Sequence, residues 1–121
     1  MRDILDVSNV VEAYVNAWKR IDQVKGRAFN LGGGPANAVS LRQLLGYIET
    51  VIGRKVDVQY GDWRAGDQRY YVSDTRAVRR ELALGDTVEW RRGVANLAKW
   101  LEGEHKARAS AQPSPVSVAA E

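Results

Sequence analysis

The 121-residue chain fits one small domain, and its 45% hydrophobic and 27% charged residues are ordinary for a globular protein. It has no cysteine, which excludes a disulfide framework and a thiolate nucleophile, and its single histidine, His105, argues against a histidine triad or metal cluster. The net charge of +3 is a mild bias toward anionic ligands and too small to imply nucleic acid; no signal peptide or membrane span is legible, so the expected location is the cytoplasm.

In chain order, Arg2 to Val7 reads as a short extended segment, and Ser8 as the cap of a first helix running to about Asp22. Val11, Tyr14, Val15, Trp18 and Ile21 recur at helical spacing and form one apolar stripe, with Gly26 as the stop. Arg27 to Leu31 reads as a short buried strand, ended by a turn at Gly32-Gly33-Gly34-Pro35. Ser40 and Gln43 fit a capping box for a second helix, with Leu41, Leu44, Leu45, Ile48 and Ile52 on one face and Gly53 at its end. Val56, Val58 and Tyr60 alternate with polar residues as in a half-buried strand.

Gly61 to Gly66 is a loop, and Arg69 to Val72 reads as extended. Asp74 can cap a third helix to about Leu84, Gly85-Asp86-Thr87 is a turn, and a last helix places Trp90, Val94, Leu97 and Leu101 on one stripe. Periodicity ends after Gly103. The expected organisation is a folded unit over residues 1–103 and a disordered polar tail over 104–121. Four helices and two or three short strands give a small α/β or α+β-like fold. That is too few strands for a complete doubly wound sheet, and it points to a fragment packing against something larger.

The segment Gly61 to Arg69 concentrates the polar chemistry. It carries Asp62, Arg64, Asp67 and Arg69 around Trp63. A guanidinium presents a planar fork of donors that matches phosphate oxygens, and a nearby carboxylate can accept from ribose hydroxyls. The other reading is a solvated turn whose charges pair among themselves, each pair worth ~0–1 kcal/mol. The glycines at 32, 33 and 34 do not complete a dinucleotide fingerprint, because Asn37 stands at the third glycine position and Pro35 interrupts. A tight turn is the better reading. The basic flank of Arg76, Arg79, Arg80, Arg91 and Arg92 has Trp90 and Trp100 nearby, but those tryptophans fall on or beside the helix stripe and suit core packing better than nucleic acid.

Four short segments in order, Arg2-Asp3-Ile4-Leu5, Ala28-Phe29-Asn30-Leu31-Gly32-Gly33, Arg64-Ala65-Gly66-Asp67-Gln68-Arg69 and Ser73-Asp74-Thr75-Arg76, carry a resemblance. Together they resemble the C-terminal, substrate-binding part of the NAD-dependent nucleotide-sugar epimerases and dehydratases of the extended short-chain dehydrogenase/reductase family. The nearest likeness is to the CDP-paratose/CDP-tyvelose 2-epimerase branch. The resemblance implies a nucleotide-diphosphate sugar as ligand, with Arg64 on a phosphate, Asp67 near the ribose and Arg2 as a second phosphate-binding arginine. It implies a structural strand at Phe29 to Gly32 and a helix cap at Ser73 to Arg76. It also implies the C-terminal portion of a Rossmann-type epimerase fold whose NAD-binding part lies upstream of Met1.

The family's chemistry uses a tyrosine with a lysine four residues on, where the lysine and the cofactor favour phenolate. The residues four beyond the five tyrosines are Trp18, Val51, Arg64, Asp74 and Thr75, so the pair is missing. The family often has an acid where Ser8 or Asn9 stands. The expectation is therefore a chain with no catalytic residue and no cofactor of its own, inactive alone, that binds the substrate. The alternative is a non-enzymatic interaction module that docks on a separate Rossmann partner or on itself.

Overall fold

The computed structural model describes residues 1–111. Its elements are β1 (Arg2–Asp3), α1 (Val7–Lys19), the one-turn α2 (Ile21–Val24), β2 (Ala38–Val39), α3 (Leu41–Ile52), α4 (Arg76–Leu82) and α5 (Trp90–Ala111). A single 3-10 turn at Pro35–Asn37 leads into β2. β1 and β2 pair antiparallel, Arg2 opposite Val39 and Asp3 opposite Ala38. This is the expected mixed fold: mostly helix around a small two-stranded sheet.

Local chemistry sets the helix ends. The capping box forms as the sequence predicts: Gln43 N–H donates to Ser40 Oγ at 3.2 Å, and Ser40 N–H donates to Gln43 Oε1 at 3.1 Å. Gly53 closes α3 in the left-handed region, and Gly26 takes positive φ after α2. Asp6, and not Ser8, caps α1: its carboxylate accepts from the Ser8 N–H at 2.9 Å. A carboxylate two residues earlier reaches the first free N–H groups and also suits the positive end of the helix. Asp74 accepts from the Arg76 N–H at 3.1 Å, while Thr75 occupies the cap position of α4.

Two of the expected strands do not pair. Residues 27–31 and 56–60 lie outside both strands. Their sequences favour extended backbone, but a strand also needs a neighbour, and none of the described residues lies alongside to complete a ladder. The last helix also runs past the expected boundary at Gly103 and continues to Ala111. The remainder of the predicted tail, 112–121, lies outside the described residues.

The core is small. Ala13, Val24, Val78 and Leu82 form its buried cluster, with Ala17, Phe29, Leu31 and Leu84 packed against it. The apolar stripe of α1 points outward and not into this core: Tyr14 is 73% and Trp18 is 76% exposed. Asn9 and Ala13 are the buried residues of α1. The small side of the helix meets α4, and the large apolar side is left without a partner among the described residues. A second apolar surface, a groove of about 700 Å³, opens between the β1–α1 junction and α5, with Leu5, Val7, Val94, Leu97 and Trp100 among its walls. No helix among the described residues is long and apolar enough to cross a membrane.

Asn37 ties the halves of the fold together. It is almost wholly buried. Its side-chain amide donates to Thr87 Oγ1 at 3.1 Å and to the Val88 carbonyl at 3.0 Å, and its Oδ1 accepts from the Trp90 N–H at 2.8 Å. Asn9 Oδ1 accepts from the Val88 N–H at 2.9 Å on the other side of the same segment. Two buried amides thereby satisfy the backbone that enters α5.

Candidate functional site

The site begins at β1. Asp3, next to Arg2, accepts from the Gly34 N–H at 3.0 Å and from the Ser73 N–H at 3.1 Å. Burial pushes the Asp3 carboxyl up, but these backbone donors outweigh it and hold the group below the ordinary range. Tyr71 N–H donates to the Met1 carbonyl at 3.0 Å, so the segment before Ser73 runs beside β1. β1 therefore fixes where the far end of the 54–72 loop sits.

That clasp brings two predicted site residues into contact. Arg2 Nη2 donates to Asp67 Oδ1 at 2.9 Å, and both side chains stay partly exposed, at 35% and 49%. The same arginine donates through Nη1 to the Met1 carbonyl at 2.9 Å. Asp67 N–H donates to the Arg64 carbonyl at 3.2 Å, closing a turn in which Gly66 takes φ +80°. The Arg64 side chain is exposed and makes no hydrogen bond or ion pair among the described residues. All three predicted residues thus meet at one loop: Arg2 and Asp67 side chain to side chain, and Arg64 through the backbone of the turn.

The aromatic residues of the loop are open to solvent. Trp63 is 59%, Tyr60 88% and Tyr70 66% exposed. The Arg69 guanidinium lies 5.4 Å from the centroid of the Trp63 ring. Sequence reading singled out the charges of this loop and missed this stack. The alternation of aromatic and arginine residues was the signal that could have found it.

The glycines at 32–34 do not fit a dinucleotide. All three are buried. A Cβ at Gly32 would overlap Ser73 Oγ and the Asp3 carboxylate, and one at Gly33 would overlap the Ile4 carbonyl. The glycines are needed so that β1, the 3-10 turn and Ser73 can close on one another. The space a pyrophosphate would take at this turn is filled by the protein's own chain.

No family profile matches the chain, and no solved structure matches it. Similarity is found to curated proteins. CDP-paratose 2-epimerase of Salmonella typhi is 26% identical over 102 residues, 83% of this chain and 30% of that protein. UDP-arabinose 4-epimerase 1 of Arabidopsis thaliana is 28% identical over 102 residues, 84% of this chain and 22% of that protein. dTDP-glucose 4,6-dehydratase of Streptomyces griseus is 32% identical over 89 residues, 73% of this chain and 26% of that protein. The chain spans less than a third of the length of each of these relatives. Over most of its length, then, it is a relative of one segment of the nucleotide-sugar epimerases and dehydratases of the extended short-chain dehydrogenase/reductase family.

Proposed function

We propose that this chain is the substrate-side portion of an NAD-dependent nucleotide-sugar epimerase or dehydratase, and that it holds the nucleotide diphosphate through Arg2, Arg64 and Asp67. The observation that carries the reading is the Arg2–Asp67 contact at 2.9 Å, which joins two residues 65 positions apart beside the exposed Arg64. Two guanidinium groups and a carboxylate, Arg64 and Asp67 on the loop and Arg2 reaching it from β1, match a diphosphate next to a ribose. Arg64 supplies the open fork, and Arg2 is oriented by Asp67. NAD held by residues outside this segment would supply the redox chemistry, and the cytoplasm is the setting this reading implies. No general acid or base for it is assigned to this chain.

Calorimetric titration with CDP, UDP, GDP and dTDP sugars tests the reading. Saturable binding of at least one of them, lost in Arg64→Ala, supports it. Absence of binding by all four overturns it. Turnover of any of them by the purified chain with added NAD would contradict the assignment of the chemistry to other polypeptide.

The exposed apolar side of α1 favours a second reading, in which the chain is a docking module. Val11, Tyr14, Val15 and Trp18 of α1, and Ile21 at the start of α2, all remain open to solvent. A surface of this kind suits a second apolar layer, such as a separate Rossmann domain. Co-expression with such a domain and analytical ultracentrifugation would distinguish a complex from independent species. Trp18→Ser should weaken that complex without lowering the melting temperature of the chain alone.

A further inference from the structure

We propose that the open face of Trp63 is the platform on which the nucleobase stacks. This rests on the nucleotide reading above and extends it from the phosphates to the base. Trp63 immediately precedes Arg64, and Arg69 stands two residues beyond Asp67. The contact between the Arg69 guanidinium and the Trp63 ring therefore closes the loop across the turn that presents Arg64 and Asp67. The ring and the charged groups belong to one small closed unit, which Arg2 ties to β1 through Asp67.

The ring has no role in the core. Trp63 keeps 59% of its surface exposed, and among the described residues no second ring stacks on it. Leaving a large indole in water is unfavourable unless something covers it. Arg69 lies over the ring and restrains its orientation, which lowers the entropy lost when a flat ligand settles against it. A nucleobase is such a ligand, and stacking tolerates any base because each presents a π-face. Tyr60 and Tyr70 are more exposed, but among the described residues neither has an arginine stacked on its ring. The loop thus divides the ligand: Trp63 for the base, Asp67 for the ribose, Arg64 and Arg2 for the phosphates.

The test compares CDP with inorganic pyrophosphate, using the full chain and its Trp63→Leu and Trp63→Phe variants. Calorimetry gives the affinities, and tryptophan fluorescence reports the contact. Trp63→Leu is expected to weaken CDP by about fivefold to a hundredfold. Pyrophosphate should change by less than about twofold, within the usual scatter of surface substitutions. Trp63→Phe should retain most of the CDP affinity while losing the quenching of indole emission. Equal weakening of both ligands by Trp63→Leu would mean a general loop defect and would overturn the platform, as would an unchanged CDP affinity. If the unaltered chain binds pyrophosphate as tightly as CDP, the base is not held, and the platform fails while the phosphate reading stands. If it binds neither, both fail.

Discussion

Arg2 and Asp67 form an ion pair at 2.9 Å between β1 and the loop that follows α3. Because both groups are partly exposed, the pair contributes little to stability by itself. A double-mutant cycle with Arg2→Ala and Asp67→Ala is expected to give a coupling of about 0.2–1 kcal/mol in chemical denaturation. A coupling well above that range would make the contact a main fastening of the fold and weaken the case for it as part of a ligand site.

The Arg64 side chain, with no partner among the described residues, should behave in the opposite way. Arg64→Ala is predicted to weaken nucleoside diphosphate binding by about 1.5–3 kcal/mol, the scale of a charge-assisted hydrogen bond. Arg64→Lys should recover only part, because lysine keeps the charge and loses the fork. Asp67→Asn should be milder than Arg64→Ala, since an amide oxygen still accepts from a ribose hydroxyl. None of the three should shift the melting temperature appreciably. If Arg64→Ala lowered the melting temperature and left affinity unchanged, the loop would be a structural turn.

Asn37 supports the fold from its interior. Asn37→Ala is predicted to destabilise the chain by about 3 kcal/mol, because it strands the buried Trp90 N–H and Val88 carbonyl together. Urea denaturation followed by circular dichroism measures this. A loss below about 0.5 kcal/mol, the range of ordinary surface changes, would mean that these groups find other partners.

Gly33→Ala probes the seam between β1 and the 3-10 turn. The added methyl would meet the Ile4 carbonyl and the side chain of Asn37, and backbone must move to admit it. A cost of about 1–3 kcal/mol is expected. Gly46→Ala, where nothing lies within 4 Å, is the matched control and should be neutral or slightly stabilising.

Acid should weaken the fold. Hydrogen bonding from Arg27, then from Arg80, lowers the Glu81 carboxyl from its ordinary 4.5 to about 2. Asp74 is lowered from 3.8 to about 2 by Arg76, and Asp3 is also lowered. A carboxylate whose folded pKa is depressed contributes stability that is fully present above its unfolded pKa. That contribution is lost as pH falls through the folded value. The melting temperature should therefore decline between about pH 4.5 and pH 2, with the acidic limb shallower in Glu81→Gln. An identical acid slope in that variant would show that the Arg27–Glu81 contact does not persist in solution.

The features legible in the sequence were those that depend on neighbours in the chain. Ser40 with Gln43, and the glycines at 26 and 53, specify their helix ends within a few residues. Arg64, Gly66 and Asp67 likewise announce a charged turn. What pairs across space was not legible: nothing near Arg2 names Asp67, and nothing near Asn37 names Trp90. Periodicity reveals that the residues of the α1 stripe share a face, not whether that face is covered. Asn9 and Ala13 occupy the covered side because they let α1 approach α4 closely, and the bulkier residues remain outside. The segments at 27–31 and 56–60 failed as strands for a related reason, since extended propensity supplies one edge of a ladder and never its partner.

The bonds of Asp3 set an order of assembly during synthesis. Its two backbone donors, Gly34 and Ser73, lie 31 and 70 residues further along the chain. At a ribosomal pace of about 5–20 residues per second, roughly 4–14 s separate the making of the carboxylate from the making of its second donor. α1 and α3 can wind within that interval, but the seam that seats β1 against the glycines and Ser73 cannot close. Until it does, the nascent chain has helices with no fixed common frame, and the loop bearing Arg64 and Asp67 has nothing to be anchored to. A ribosome stalled before Ser73 would hold a polypeptide in which Arg2 has already been made and the site has not.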